Sequence, residues 1–212
     1  MPKIVDHEQR RREIVDAYLS VLAKQGIAGT NGRSVAAELG VVPGTLWHYF
    51  HSFEDIGEDA ALHGIQRTLA RIERRAGGLR GLPALLAIGE EILPTTEVTR
   101  EEARVVVAFW GQVHSGGDAR SAFGRVREFT ELTTSALQQA VDDGELIAQT
   151  PVGALVRLID SVYAGEQVIS AADSSENDPD TVRRVLATCV APWLADADSP
   201  ASLTLRTWLG EV

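Results

Sequence analysis

Asn31-Gly32-Arg33-Ser34-Val35-Ala36-Ala37-Glu38-Leu39-Gly40-Val41-Val42-Pro43-Gly44-Thr45-Leu46-Trp47-His48-Tyr49-Phe50 is the stretch that decides the fold. It reads as two short helices, near 33–39 and 43–50, around a tight turn at Gly40, which is the helix-turn-helix layout. Ala36 is small where the two helices would cross, and Gly40 supplies a backbone conformation that side chains disfavour. Pro43 opens the second helix at no cost in hydrogen bonds, because an N–H in that first position has no partner. Leu46 and Phe50, four apart, share a face with Val41 and are expected to pack on Val35 and Leu39.

That packing dictates what the second helix shows to solvent. At about 100° per residue from Leu46, Gly44 and His48 point away from the core while Thr45 and Trp47 flank it. An exposed Trp-His-Tyr run is costly unless something covers it, and a DNA groove does so through base-edge and phosphate contacts. Thr45 and Tyr49 offer hydroxyls to phosphate oxygens, and Gly44 lets the backbone approach closely. In the competing reading Trp47 and Tyr49 pack on the following helix and His48 is idle.

Outward from this motif, apolar residues recur three and four apart and Gly, Pro, Asn and Asp cluster between them, so the chain is expected to be all-α. A first helix is expected over 8–25, with Ile14, Val15, Tyr18, Leu19, Val21 and Leu22 on one face, the Arg10-Arg11-Arg12 run exposed, and Gly26 as its stop. Further helices are expected near 53–76, 82–94, 99–114, 119–143, 151–172, 179–194 and 201–209. A head of some fifty residues buries too little surface to stand alone and must lean on the helix after it. The expected division is therefore a DNA-binding domain over 1–52 and a helical body over 53–212.

The 212 residues are 44% hydrophobic and 24% charged, as in ordinary folded proteins. The longest apolar run, about 105–110, is too short for a membrane span, and the start is charged rather than apolar, so a cytoplasmic location is expected. Net charge is −10. Its distribution is uneven: residues 1–50 carry six Lys or Arg against five acids, leaving −11 on the other 162 residues. An acidic body repels DNA everywhere except at the head. The single Cys189 has no disulfide partner and reads as a small hydrophobe.

The words Val35-Ala36, Gly40-Val41, Pro43-Gly44-Thr45-Leu46 and His48-Tyr49-Phe50 resemble the DNA-binding head of the tetracycline-repressor (TetR) family of bacterial regulators. Further on, 104–110 (Arg-Val-Val-Val-Ala-Phe-Trp), Gly144-Glu145-Leu146 and Asp160-Ser161 resemble the regulatory domain of its choline-responsive, betaine-gene group. The resemblance implies a helix-turn-helix head, a ligand-binding and dimerising body, and a homodimeric repressor that binds a palindromic operator and is released by a small molecule. It implies base-reading and groove-lining roles for Arg33, Val42, Pro43, Gly44, Thr45, Trp47 and His48, and phosphate contacts at Asn31, Tyr49 and Ser52. Two departures stand out: Phe53 occupies the place of a frequent Lys, and Val42 that of a capping Ser, so a phosphate anchor and a helix cap are both missing.

For the dimer the resemblance implies the helices at about 151–172 and 179–195. Leu155, Leu158, Ile159, Val162, Tyr163, Val182, Val185, Leu186 and Val190 give them apolar stripes that intramolecular packing would also explain. The expected effector-binding residues are Phe109, Trp110, His114, Phe129, Tyr163 and Glu166, apolar walls with a few polar groups; each aromatic reads equally as core. An aromatic cage with Glu166 would suit a quaternary ammonium ion, though nothing in the spacing demands it. No enzyme is expected, since the chain lacks a Gly-x-Ser-x-Gly elbow, a phosphate-cradling Gly-rich loop and a nucleophile–base pair. No cofactor and no metal site is expected. The alternatives are a metal-responsive regulator built on His48, His51 and His63, which would need a further ligand, and a helical interaction module without specific DNA binding.

Overall fold

A computed structural model describes residues 2–113, 120–172, 178–196 and 198–211. Among these the chain forms α1 (Pro2–Gly29), α2 (Gly32–Glu38), a 3₁₀ turn (Pro43–His48), α3 (Phe53–Ala76), α4 (Gly81–Ile92), α5 (Glu97–Val113) and α6 (Arg120–Asp142). Then come α7 (Val152–Ala172), α8 (Pro179–Val190), a second 3₁₀ turn (Ala191–Trp193) and α9 (Pro200–Trp208). The fold is all-α; its extended pairing is an isolated antiparallel bridge between Leu146 and Leu194. The first helix is longer than the periodicity predicted, because Pro2 is tolerated in a first turn and no breaker follows it before Gly26. At Gly26 the helical dihedrals are interrupted, and a last turn carries on to Gly29.

The chain divides into two compact units, residues 1–65 with 101–123 and residues 66–100 with 124–212. In the first unit, the head, Ile14, Tyr18, Val21 and Leu22 of α1 meet Val35 and Ala36 of α2, Leu46 and Phe50. Ile56 and Ala60 of α3 and Ala108 of α5 complete this core, which supplies the buried surface that α1, α2 and the 3₁₀ turn lack by themselves. The Arg10–Arg12 run is not uniformly exposed as the sequence suggested. Arg11 turns inward, since a guanidinium can lay its apolar stem on the core while its head meets fixed acceptors.

In the second unit, the body, every residue of α4 except Pro83 and Glu91 is buried. A helix that is apolar on all sides belongs in the middle, and α6, α7, α8, α9 and the end of α3 pack around it. Its two acids are neutralised in place: Glu90 by Arg183 at 2.6 Å, Glu91 by Arg71 at 2.7 Å and Arg75 at 3.1 Å. Burial without such partners would cost several kcal/mol, about 3–5 when one partner is removed. Glu145 receives the Leu82 N–H at 2.6 Å and so caps α4. Gly81, at φ +57°, lets its carboxylate come that close.

The apolar stripes of α7 and α8 turn mostly inward. Leu155, Ile159, Tyr163, Val182, Leu186 and Val190 are buried in the body's own core, whereas Leu158 is 49% exposed. Two faces of α7 are apolar, one for the core and one for solvent. Gly40 (φ +71°) has open space where a Cβ would sit, while a Cβ at Gly81 would collide with the Glu145 carboxylate. Gly40→Ala is therefore expected to cost about 1 kcal/mol from backbone strain alone, and Gly81→Ala clearly more. Urea denaturation followed by circular dichroism ranks the two.

Candidate nucleic-acid interface

The turn is built by hydrogen bonds that the sequence arranges locally. Asn31 caps α2, its Oδ1 accepting the Arg33 and Ser34 N–H groups at 3.0 and 3.2 Å, while Ser34 Oγ accepts the Asn31 N–H. At the other end Gly40 N–H donates to Ala37 O at 3.1 Å and Val41 N–H to Ala36 O at 2.9 Å. This is the paired closure of a helix ending in a left-handed glycine.

The following element is a 3₁₀ turn over Pro43–His48 rather than an α-helix to residue 50. Pro43 and Gly44 are poor helix formers, six residues are few, and Val42 gives no side-chain cap. Thr45 N–H donates to Val42 O at 2.9 Å and Tyr49 N–H to Leu46 O at 3.0 Å, both three residues back. In such a turn residues three apart eclipse. Tyr49 therefore follows Leu46 toward the core and is half-buried, its ring 4.9 Å from that of His7.

Leu46 is fully buried and Phe50 nearly so, as the pattern predicted. Val42 is 71% and Trp47 45% exposed. Pro43, Gly44 and His48 are also exposed and Thr45 is half-buried. Trp47 is not fully free, since its ring lies against Gly32, where a Cβ would come within 3.2 Å. Ser52 Oγ bonds Asp55 at 2.9 Å and also accepts the Asp55 N–H, which makes Ser52 the cap of α3 and brings a carboxylate beside it.

The charge of the head is largely tied down. Arg10 pairs with Glu13, Arg12 with Glu8 at 3.8 Å, and Lys24 with Glu38 at 2.6 Å. The Lys24 bond, then that from Ser20, holds the Glu38 carboxyl below the usual carboxylate range. Arg33 is exposed at the start of α2, with no ion pair among the described residues. It shares the head's surface with the exposed part of the turn.

Sequence reasoning missed Arg11. Its guanidinium donates to Tyr49 O and to Asp59 of α3, each at 2.5 Å, and lies 4.0 Å from the centre of the Phe50 ring. One side chain thus joins α1, the end of the 3₁₀ turn and α3. Asp59 lies 48 positions away, so no local pattern could have revealed the pairing.

The expected effector residues divide between the units. Phe109 is buried and Trp110 half-buried in the first, with ring centres 6.2 Å apart. Phe129 packs on the body core and Tyr163 lies within it, with Glu166 half-buried one turn further along α7. Burial, then the Asp160 charge, pushes the Tyr163 phenol up, and burial pushes the Glu166 carboxyl up. His114 lies outside the described residues. Cys189 is half-buried against the body core, where desolvation raises its thiol. Among the described residues no three His, Cys, Asp or Glu side chains group as metal ligands, and no helix is long and apolar enough to cross a membrane.

Residues 83–195 match the family model described as the BetI-type transcriptional repressor C-terminal domain, over half of the chain. The chain belongs to the TetR family. Within that family the chain carries the BetI-type regulatory domain, and its curated relatives are helix-turn-helix transcriptional regulators. It is 34% identical over 110 residues to the regulator PksA of Bacillus subtilis, covering 51% of this chain and 54% of that one. It is 28% identical over 114 residues to the regulator BetI of Burkholderia mallei, covering 53% and 58%. The chain thus spans little more than half the length of these relatives. The same fold occurs in a putative regulator from Saccharomonospora viridis, solved in complex with choline, at TM-score 0.76, 17% identity and coverage of 87% and 96%. A transcriptional regulator from Rhodococcus sp. Rha1 shares it at TM-score 0.70 and 20% identity, with coverage of 86% and 95%.

Arg11→Met removes the donor to a carbonyl and the partner of Asp59. Hydrogen bonds to charged groups contribute about 1.5–3 kcal/mol each, less where solvent reaches them. The variant is expected to lower the unfolding free energy of the head by roughly 2 kcal/mol, with Asp59→Asn costing less because it keeps an acceptor. Chemical denaturation followed at the head's tryptophan fluorescence checks this.

Proposed function

We propose that this protein is a homodimeric, ligand-responsive repressor that reads a palindromic operator through the exposed side of residues 42–48. The observation that carries the reading is an apolar and aromatic surface, Val42, Pro43, Trp47 and His48, held outward by the burial of Leu46 and Phe50. Membership of a family of transcriptional regulators supports it. In this reading Val42, Gly44, Trp47 and His48 face base edges, while Thr45, Tyr49 and Arg33 approach phosphates. Asn31 and Ser52 serve chiefly by capping the helices on either side, with their neighbouring backbone available to phosphate.

The dimer in this proposal uses the solvent side of α7 with α8. Leu158, Ser161, Gly165 and Ile169 are exposed and spaced three or four apart, so they form one continuous stripe. Two heads related by a twofold axis would reach successive major grooves about 34–36 Å apart. A small organic molecule bound in the body among residues such as Phe129, Tyr163 and Glu166 would release the operator. The choline found with the Saccharomonospora protein makes quaternary ammonium ions the first class to try, with the raised Glu166 carboxyl as their counter-charge once ionised.

Two sets of variants test the reading. On a DNA fragment retained by the parent, Thr45→Ala and Tyr49→Ala are expected to weaken binding to all sequences alike, whereas His48→Ala relaxes base preference. Arg33→Ala is expected to flatten the plot of log K against log salt by about 0.9. Fluorescence anisotropy across a salt series measures all four, and parental behaviour in every variant would contradict the assignment. Separately, Leu158→Arg with Ile169→Arg is expected to give a folded monomer by light scattering; a persistent dimer would place the interface elsewhere.

A further inference from the structure

Sequence reasoning passes over His7. It is exposed on the second turn of α1, with its ring centre 4.9 Å from that of Tyr49 and the planes tilted by 47°, an ordinary aromatic contact. One helical turn further on, Arg11 donates to the Tyr49 carbonyl. Residues four apart share a helix face, so α1 holds Tyr49 at two points, the ring through His7 and the main chain through Arg11. Tyr49 is the residue at which the 3₁₀ turn ends. The contact therefore sets α1 beside the surface that the proposed function assigns to DNA.

The charges around His7 decide what it can bind. Its neighbours are Tyr49 by contact and Arg11 by helical spacing, and the Arg11 charge is balanced by Asp59 of α3. In the sequence Asp6 and Glu8 flank it, and Glu8 pairs with Arg12 at 3.8 Å. Asp55 of α3 is bound to Ser52. Arg10 and Lys24 pair with Glu13 and Glu38. These cations of α1 thus have internal partners, whereas His7 forms no ion pair among the described residues. Histidine is the side chain whose charge ordinarily changes between about pH 5 and 8, and a positive charge against a tyrosine ring is favoured by the ring's negative face.

We propose that His7 and Tyr49 together form a phosphate site on the head, with the His7 imidazolium and the Tyr49 hydroxyl donating to one phosphate of the operator backbone. Charge-assisted hydrogen bonds to anionic oxygens span about 2.7–2.9 Å, which lets two donors on rings 4.9 Å apart reach the same group. The inference rests on the DNA-binding reading and extends the interface from the turn to the start of α1. It makes DNA affinity depend on pH. A phosphate favours the charged imidazole, so binding takes up a proton and tightens as pH falls. A backbone contact carries no base information, so the effect is the same for every sequence bound.

The test is fluorescence anisotropy of the full chain on a DNA fragment retained by the parent, over a salt series at about pH 8 and about pH 6. His7→Phe keeps a ring on Tyr49 but has no donor, and any response from His48, His51 or His63 is common to it and the parent. Between the two pH values the parent is expected to gain about tenfold more affinity than His7→Phe, the effect of one hydrogen bond to a charged group. Its plot of log K against log salt is expected to steepen by about 0.9 more. Urea unfolding of His7→Phe is expected to match the parent. His7→Lys carries a cation at both pH values and is expected to hold the tighter binding and the steeper plot throughout. A His7→Phe that keeps the parent's pH and salt response, or a His7→Lys that binds no better than His7→Phe, would overturn the proposal; with Arg33→Ala still flattening the salt plot, the DNA-binding reading would stand without it. A parent that retains no fragment at either pH overturns both.

Discussion

The burial of Leu46 and Phe50 is the constraint on which the head depends. A six-residue 3₁₀ turn has no stability of its own, because few hydrogen bonds offset the entropy of ordering it. It holds its shape because these two side chains sit in a pocket made by α1, α2 and α3 and because Arg11 fixes the carbonyl of Tyr49. Once that face is inside, the remaining residues have nowhere to go but outward. The surface offered by Val42, Trp47 and His48 is thus a consequence of packing. A change that loosens Phe50 or Arg11 disturbs the outward face without touching it.

The body solves a different problem. A helix apolar on all sides needs a full ring of neighbours, yet α4 also carries Glu90 and Glu91. Three arginines from two other helices answer these carboxylates. Their long stems pack while their heads stay charged. These pairs add little net stability relative to an apolar core, but they fix how α3 and α8 are turned toward α4, because a mispaired arrangement would leave a charge buried alone.

Much of this was legible in the sequence. The turn at Gly40, the burial of Val35, Ala36, Leu46 and Phe50, and the span of α3 all follow from local chemistry: glycine where φ is positive and apolar residues at helical spacing. What was not legible depends on partners distant along the chain. A run of three arginines looks solvated until Asp59 and Tyr49 are brought beside the middle one. The winding of residues 43–48 was misread because an α-helical period was applied to a segment too short and too rich in Pro and Gly to follow it. The stripes of α7 and α8 were ambiguous for a third reason: hydrophobic spacing does not say whether the covering surface belongs to the same chain. Here it mostly does, and the exposed Leu158 and Ile169 became visible as a separate face only once the core had been assigned.

In the proposed function the outward side of the head reads DNA. Its most direct test is to incubate the purified protein, stripped of small molecules by refolding, with sheared genomic DNA at moderate salt and to sequence the fragments it retains. A palindrome whose half-sites are centred about one helical turn, or a multiple of it, apart is expected to be enriched. Retention of no sequence above background, even at low salt where phosphate contacts are strongest, would contradict it.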